Sequence, residues 1–177
     1  MAENGDTLPP GRLPDHPAVF SRYNRWANRR VHDACEGLDR DAYLAQRPSF
    51  FGSIHRTLNH ILVADLIWMG RIAGEPRALA LDDELHGDLA SLRMARGALD
   101  DAIVAHCDGL ETGWQEAVLH YANTRGEPCE TPLVQVFWHL FNHQTHHRGQ
   151  VHGLLSHAGV APPPLDLIYF LREAGPG

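Results

Sequence analysis

Five of the thirteen histidines in this 177-residue chain fall within the stretch HLFNHQTHHRGQVH, His139 to His152. No other stretch limits the fold so strongly, because its apolar residues recur at helical spacing and the histidines must share that helix with them. Pro132 suits a first helical turn and Gly159 a C-cap, so the period predicts a helix over 132–157. In heptads, Leu133, Leu140, His147 and Leu154 fall at one inward position; Val136 or Phe137, His143, and Gln150 or Val151 fall at the other. His143 and His147, four residues apart, therefore lie one turn apart on the same face, where the pattern otherwise sets leucine-like side chains. His139 and His146 fall on a flank, and His152 further round toward solvent.

An inward-facing polar pair needs other helices to bury it, and the rest of the chain supplies three. The first starts after Asp15, with Phe20, Asn24, Ala27, Val31, Ala34 and Leu38 as its stripe. Asn24 and Asn28 require partners there; a bond to a neighbouring helix is preferred over a polar cavity. Residues 39–52 read as a connection. Ser53 to Ala73 is the second helix, apolar on several faces, ended by Gly74 and Pro76 and interrupted by His60 and Asp65. An unpaired charge at Asp65 would be costly, and Arg148, Arg71 or a histidine proton are its expected partners. Residues 74–87 are long enough to cross from one end of a bundle to the other. The third helix runs from Gly87 to Leu110, with Leu85, Leu89, Leu92, Leu99 and Ile103 as its apolar edge. His106 continues that edge and is best explained as a cation near a helix C-terminus. Residues 111–131 lack helical period and suggest a short extended piece, a turn and a small hairpin. After Pro162–Pro164, Leu165 to Arg172 predicts a short terminal helix packing Leu167, Ile168 and Phe170. The expected fold is all-α: a four-helix bundle with a long crossover between helices 2 and 3, as one domain over 16–177. Residues 1–15, with Pro9, Pro10 and Pro14, form a flexible arm ahead of it.

Two interior imidazoles facing one point are poor neighbours unless neutral, hydrogen-bonded or on a metal. A metal accounts for a pair at this spacing better than two satisfied core histidines do, and imidazole suits zinc, nickel, copper or iron(II). The third ligand comes from a facing helix in such a bundle. His60 is the preferred candidate because it interrupts a buried apolar helix; His55, His106 and Asp65 are weaker ones. Three histidines without a fourth protein ligand match a catalytic rather than a structural site. HExxH, Ser-His-Asp and phosphate-loop patterns are absent from the sequence.

Composition narrows the classes further. A net charge of −7 argues against a nucleic-acid partner. No run has the length of a membrane span. Three dispersed cysteines, Cys35, Cys107 and Cys129, with no CxxC and no apolar leader, lead to the expectation of reduced thiols and a cytoplasmic location.

The segments YNRWAN (23–28), FGSIHRTLNHILVADLIWMGRI (51–72) and HLFNHQTHHRGQVHGLL (139–155) resemble the DinB-like family of damage-inducible bacterial proteins, in matching order and spacing. The resemblance spans about residues 17–160. It implies a divalent metal, zinc or nickel, held by His60, His143 and His147 with solvent completing the shell, and a homodimer. It also implies a metal-dependent thiol S-transferase acting on a small molecule, since better-understood relatives use low-molecular-weight thiols. The alternative is a non-catalytic metal-binding stress-response or interaction protein. Gly149 is read as allowing close helix contact and Arg148 as pairing internally, with Asp65 as a candidate.

Overall fold

The structure is a computed structural model and describes residues 16–175; the arm expected over 1–15 lies outside them. It is predominantly helical with one small sheet. Six helices follow in order: α1 His16–Cys35, α2 Arg40–Leu44, α3 Ile54–Ile72, α4 Leu89–Asp108, α5 Leu133–His157 and α6 Leu167–Ala174. Between α4 and α5 lie a 3-10 turn, Trp114–Glu116, and two strands, β1 Val118–Ala122 and β2 Pro128–Pro132. α1 packs on α4 and α5, and α3 packs on the same two helices.

Local chemistry sets the helix ends. The Ser53 hydroxyl accepts the Arg56 N–H at 3.1 Å to start α3, and the Asp88 carboxylate accepts the Ser91 N–H at 2.8 Å to start α4. Asp39 caps α2 in the same way at 2.7 Å. That helix falls in the stretch read as connection, because five residues are too few to show a period. The main core joins Val31 and Cys35 of α1, Ile54, Ile61 and Leu62 of α3, Leu92 of α4 and Val151 and Leu155 of α5. α6 closes a second cluster, setting buried Phe170 against Tyr23 and Trp26. Two expected core residues lie elsewhere. Ile168 is about half exposed, and Leu85 is exposed ahead of α4 rather than on its edge.

The strands pair antiparallel, Val118 opposite Pro132 and His120 opposite Glu130. Leu119 and Tyr121 face inward and alternate with exposed neighbours. The Asn123 side chain shapes the turn, its Oδ1 accepting the N–H groups of Arg125 and Glu127 at 2.9 and 3.0 Å. β2 runs straight into α5, so Tyr121 is delivered against Trp68 of α3, the rings 5.3 Å apart.

Each of the four long helices contributes buried polar residues to one interior network. Arg96 of α4 meets Asp65 of α3 at 2.7 Å and Asp100 of its own helix at 2.9 Å. Asn28 donates to Asp100 at 3.0 Å, and the Gln144 amide donates to Asp65. Arg148 donates to Gln144 and Asn24 at 2.7 Å and to Asn28 at 3.3 Å. Asp65 is therefore paired with Arg96, not with Arg148 or Arg71 as expected. Arg148 has no direct bond to it and is linked to it through Gln144. Which arginine meets Asp65 is decided by how α4 and α5 pack on α3, and the sequence pattern does not carry that. Asn24 and Asn28 bond to neighbouring helices, as the preferred reading had it. Gly149 has open space where a side chain would begin, so it does not mark a close helix contact.

Candidate metal centre

α3 and α5 bring His60, His143 and His147 to one point. One imidazole nitrogen from each lies within 4.8 Å of the others. Among the described residues no other group of three histidine, cysteine or carboxylate side chains converges in this way. His60 and His147 are buried, and His143 is half-buried.

The bonds made by the far side of two rings fix what the near side offers. His60 Nδ1 lies 2.7 Å from the Leu81 carbonyl, which can only accept, so Nδ1 carries the proton and Nε2 keeps its lone pair. His147 Nδ1 donates to Gln150 Oε1 at 2.9 Å with the same result, and the Gln150 amide donates in turn to His146 Nε2 at 3.2 Å. A backbone carbonyl and a side-chain amide holding the outer nitrogens is the arrangement that orients metal-binding histidines. His60 Nε2 and His143 Nε2 are 3.1 Å apart. Two nitrogens on one zinc ion, each at about 2.0–2.1 Å, stand roughly 3.0–3.4 Å apart, so this spacing accommodates a single ion.

Electrostatics agrees with the donor geometry. Burial, reinforced by the neighbouring imidazoles, pushes the His143 pKa down to about 3. Burial lowers His60 and His147 as well, each partly offset by the bond its Nδ1 makes. Neutral imidazole is the form a metal requires. The residues present therefore fit a divalent ion.

The crossover from α3 to α4 is part of the site, since it supplies the Leu81 carbonyl. Asn59, next to His60, pins the crossover by accepting the His86 N–H and donating to the His86 carbonyl, both at 3.2 Å. Phe51 stacks on the His60 ring at 4.0 Å and meets His147 edge-on at 5.5 Å. Phe51 sits in an aperiodic connection, so no helical period marks it as part of the site. The LNH triplet did carry a signal for Asn59, as a second polar residue on an apolar helix.

The other candidates lie apart. His55 engages the Tyr43 hydroxyl at 3.2 Å and Glu84 at 3.3 Å. His106 lies in the last turn of α4 near Phe137, and Asp65 is held in the interior network. His146 is exposed, while His139 is exposed but rests on Trp68 and His143, with ring centroids 5.1 and 5.6 Å away. A pocket of about 280 Å³ opens beside His60 and His143, walled further by His139, Trp68, Arg71 and Tyr121.

The sequence pattern of the DinB family matches residues 11–177. The chain is similar to Protein DinB of Bacillus subtilis (strain 168), with 26% identity over 166 residues, covering 90% of this chain and 95% of that protein. No solved structure matches the chain.

Proposed function

The chain belongs to the DinB family, and on that premise we propose that it binds one divalent metal ion, zinc or nickel, through His60, His143 and His147 and acts as a thiol S-transferase on a small molecule. The observation that carries this reading is the convergence of three neutral imidazoles, two of them locked with Nε2 inward, beside an open pocket. The fold belongs to the same reading: a four-helix bundle of α1, α3, α4 and α5, with the long crossover bringing Leu81 to His60 and the two strands forming an accessory hairpin.

When bound, a divalent ion held by neutral ligands keeps its full charge and lowers the pKa of a thiol or water in an open position. The protein's own residues do the rest. Leu81 and Gln150 keep two donor nitrogens aimed inward. Phe51 covers the His60 and His147 rings and limits water on that side. His139 and Trp68 form the wall along which a second reactant would lie.

Purified without a histidine tag, the protein is expected to hold about one ion per chain and to lose it in His147→Ala. Metal-free protein that takes up neither zinc nor nickel would end the reading. Turnover is tested by offering electrophiles together with bacterial low-molecular-weight thiols, with and without metal, and activity should vanish in His60→Ala. Metal binding without any turnover would favour the alternative, a non-catalytic stress-response or interaction protein. The reading extends to a homodimer in the cytoplasm, which sedimentation of the metal-loaded protein addresses.

A further inference from the structure

Arg71 lies eleven residues beyond His60 on α3, a spacing of about three turns that returns it to the same face. The two residues stand at opposite ends of one pocket, with Ala64, Ile67 and Trp68 of the same helix between them. The Arg71 guanidinium lies 4.6 Å from the centre of the Trp68 ring and 4.8 Å from that of Tyr121. Ring faces hold a guanidinium in place without using its N–H donors or cancelling its charge. Among the described residues no carboxylate is paired with it. The contrast with other arginines is sharp: Arg22 is paired with Asp108, Arg30 with Glu173 and Arg96 with Asp65. Arg71 is thus a half-buried cation, positioned by two aromatic rings in the pocket that His60 and His143 line, in a chain whose net charge is −7.

We infer that Arg71 is the recognition group for a carboxylate, and that the small molecule acted on at the histidine centre is an organic acid whose anionic end docks on the guanidinium that Trp68 and Tyr121 hold in place. A planar guanidinium offers a carboxylate two parallel N–H bonds. A pocket of about 280 Å³ suits a small metabolite. The identity of the reacting end rests on the metal reading above; the docking of the anionic end does not.

Two pairs of probes separate these. Metal-free protein is titrated with benzoate and with benzamide, an uncharged analogue of similar shape. Cobalt(II)-loaded protein is titrated with 3-mercaptopropionate and with 2-mercaptoethanol, following the cobalt absorption bands. The wild type is expected to prefer the acid in each pair by about tenfold, the scale of one charge-assisted contact at a partly exposed site. Arg71→Gln should abolish both preferences while binding of 2-mercaptoethanol and cobalt stays unchanged, and Arg71→Lys should retain part of each. If the wild type shows no preference for either acid, or Arg71→Gln keeps it, the inference is overturned. If cobalt is not retained at all, the metal reading fails, and the benzoate pair alone still decides the role of Arg71.

Discussion

Arg96 compensates two buried carboxylates at once, so its removal strands both. Arg96, Asp65 and Asp100 are each 3% exposed or less. Burial pushes the Asp65 carboxyl up to about 6 even with Arg96 beside it. Arg96→Met leaves both acids in a dry interior with their direct cation gone, which costs about 3–5 kcal/mol; urea denaturation of the variant at neutral pH measures it. His32 makes a different prediction. Its Nδ1 donates to the Asn28 carbonyl at 2.9 Å, and burial drives its pKa from 6.5 down to about 4. The unfolded chain takes up the proton near 6.5 and the folded chain only near 4, so the neutral buried form contributes fully above 6.5 and loses its contribution as the pH falls toward 4. Between about pH 7 and pH 5 the wild type should lose about 2 kcal/mol of stability relative to His32→Leu, measured by denaturant unfolding at both values. A gap that stays constant would show that His32 protonates as easily folded as unfolded.

The elements differ in how plainly the sequence announces them, and one prediction turns on a junction between two of them. At Gly70 an added Cβ would come within 2.6 Å of the Glu75 carbonyl oxygen, because the crossover folds back on α3 as it leaves, with the Glu75 N–H bonded to the Gly70 carbonyl at 2.8 Å. Gly70→Ala should therefore destabilise by about 1–3 kcal/mol and increase proteolytic cutting within 74–87, which would loosen the Leu81 carbonyl from His60. A variant cut no faster than wild type would disprove that coupling. α1, α3, α4 and α5 were legible because each is a helix of 19 residues or more, long enough for its apolar stripe to repeat over several turns. The histidine pair was legible for the same reason, since His143 and His147 replace apolar residues in a clear heptad. The interior network was not, although its trace is present. Leu92, Arg96, Asp100 and Val104 form a four-residue-step row on α4, and all four are buried. Asn24 with Asn28 and Gln144 with Arg148 repeat the step on α1 and α5. Periodicity scored on apolar residues alone overlooks such rows. Which row faces which is set by tertiary packing, and that is why Asp65 was assigned the wrong arginine. Tyr121 and Phe51 lie outside any helical period, so their place at the site emerges only when the sheet and the connection are folded against α3.

For the molecule as a whole, a metal at the histidine centre would join α3, α5 and, through Leu81, the crossover, so occupancy should register in global stability and not only at the site. Binding to the folded state alone stabilises by about 4 kcal/mol when free metal exceeds its dissociation constant a thousandfold. For a chain of this size that corresponds to a rise of roughly 10 °C in melting temperature. The thirteen histidines complicate the reading, because the unfolded chain also takes up metal and shrinks the shift. His147→Ala resolves this: its unfolded chain retains twelve of the thirteen, so the difference between the two proteins' shifts isolates the folded site. Wild type should melt several degrees higher with excess zinc or nickel than with chelator, whereas His147→Ala should show little or no difference. Equal shifts in the two proteins would place the stabilising ion somewhere other than at His60, His143 and His147. No shift in the wild type would mean that the three imidazoles are held neutral by burial and by their Nδ1 partners, with no metal stabilising the fold.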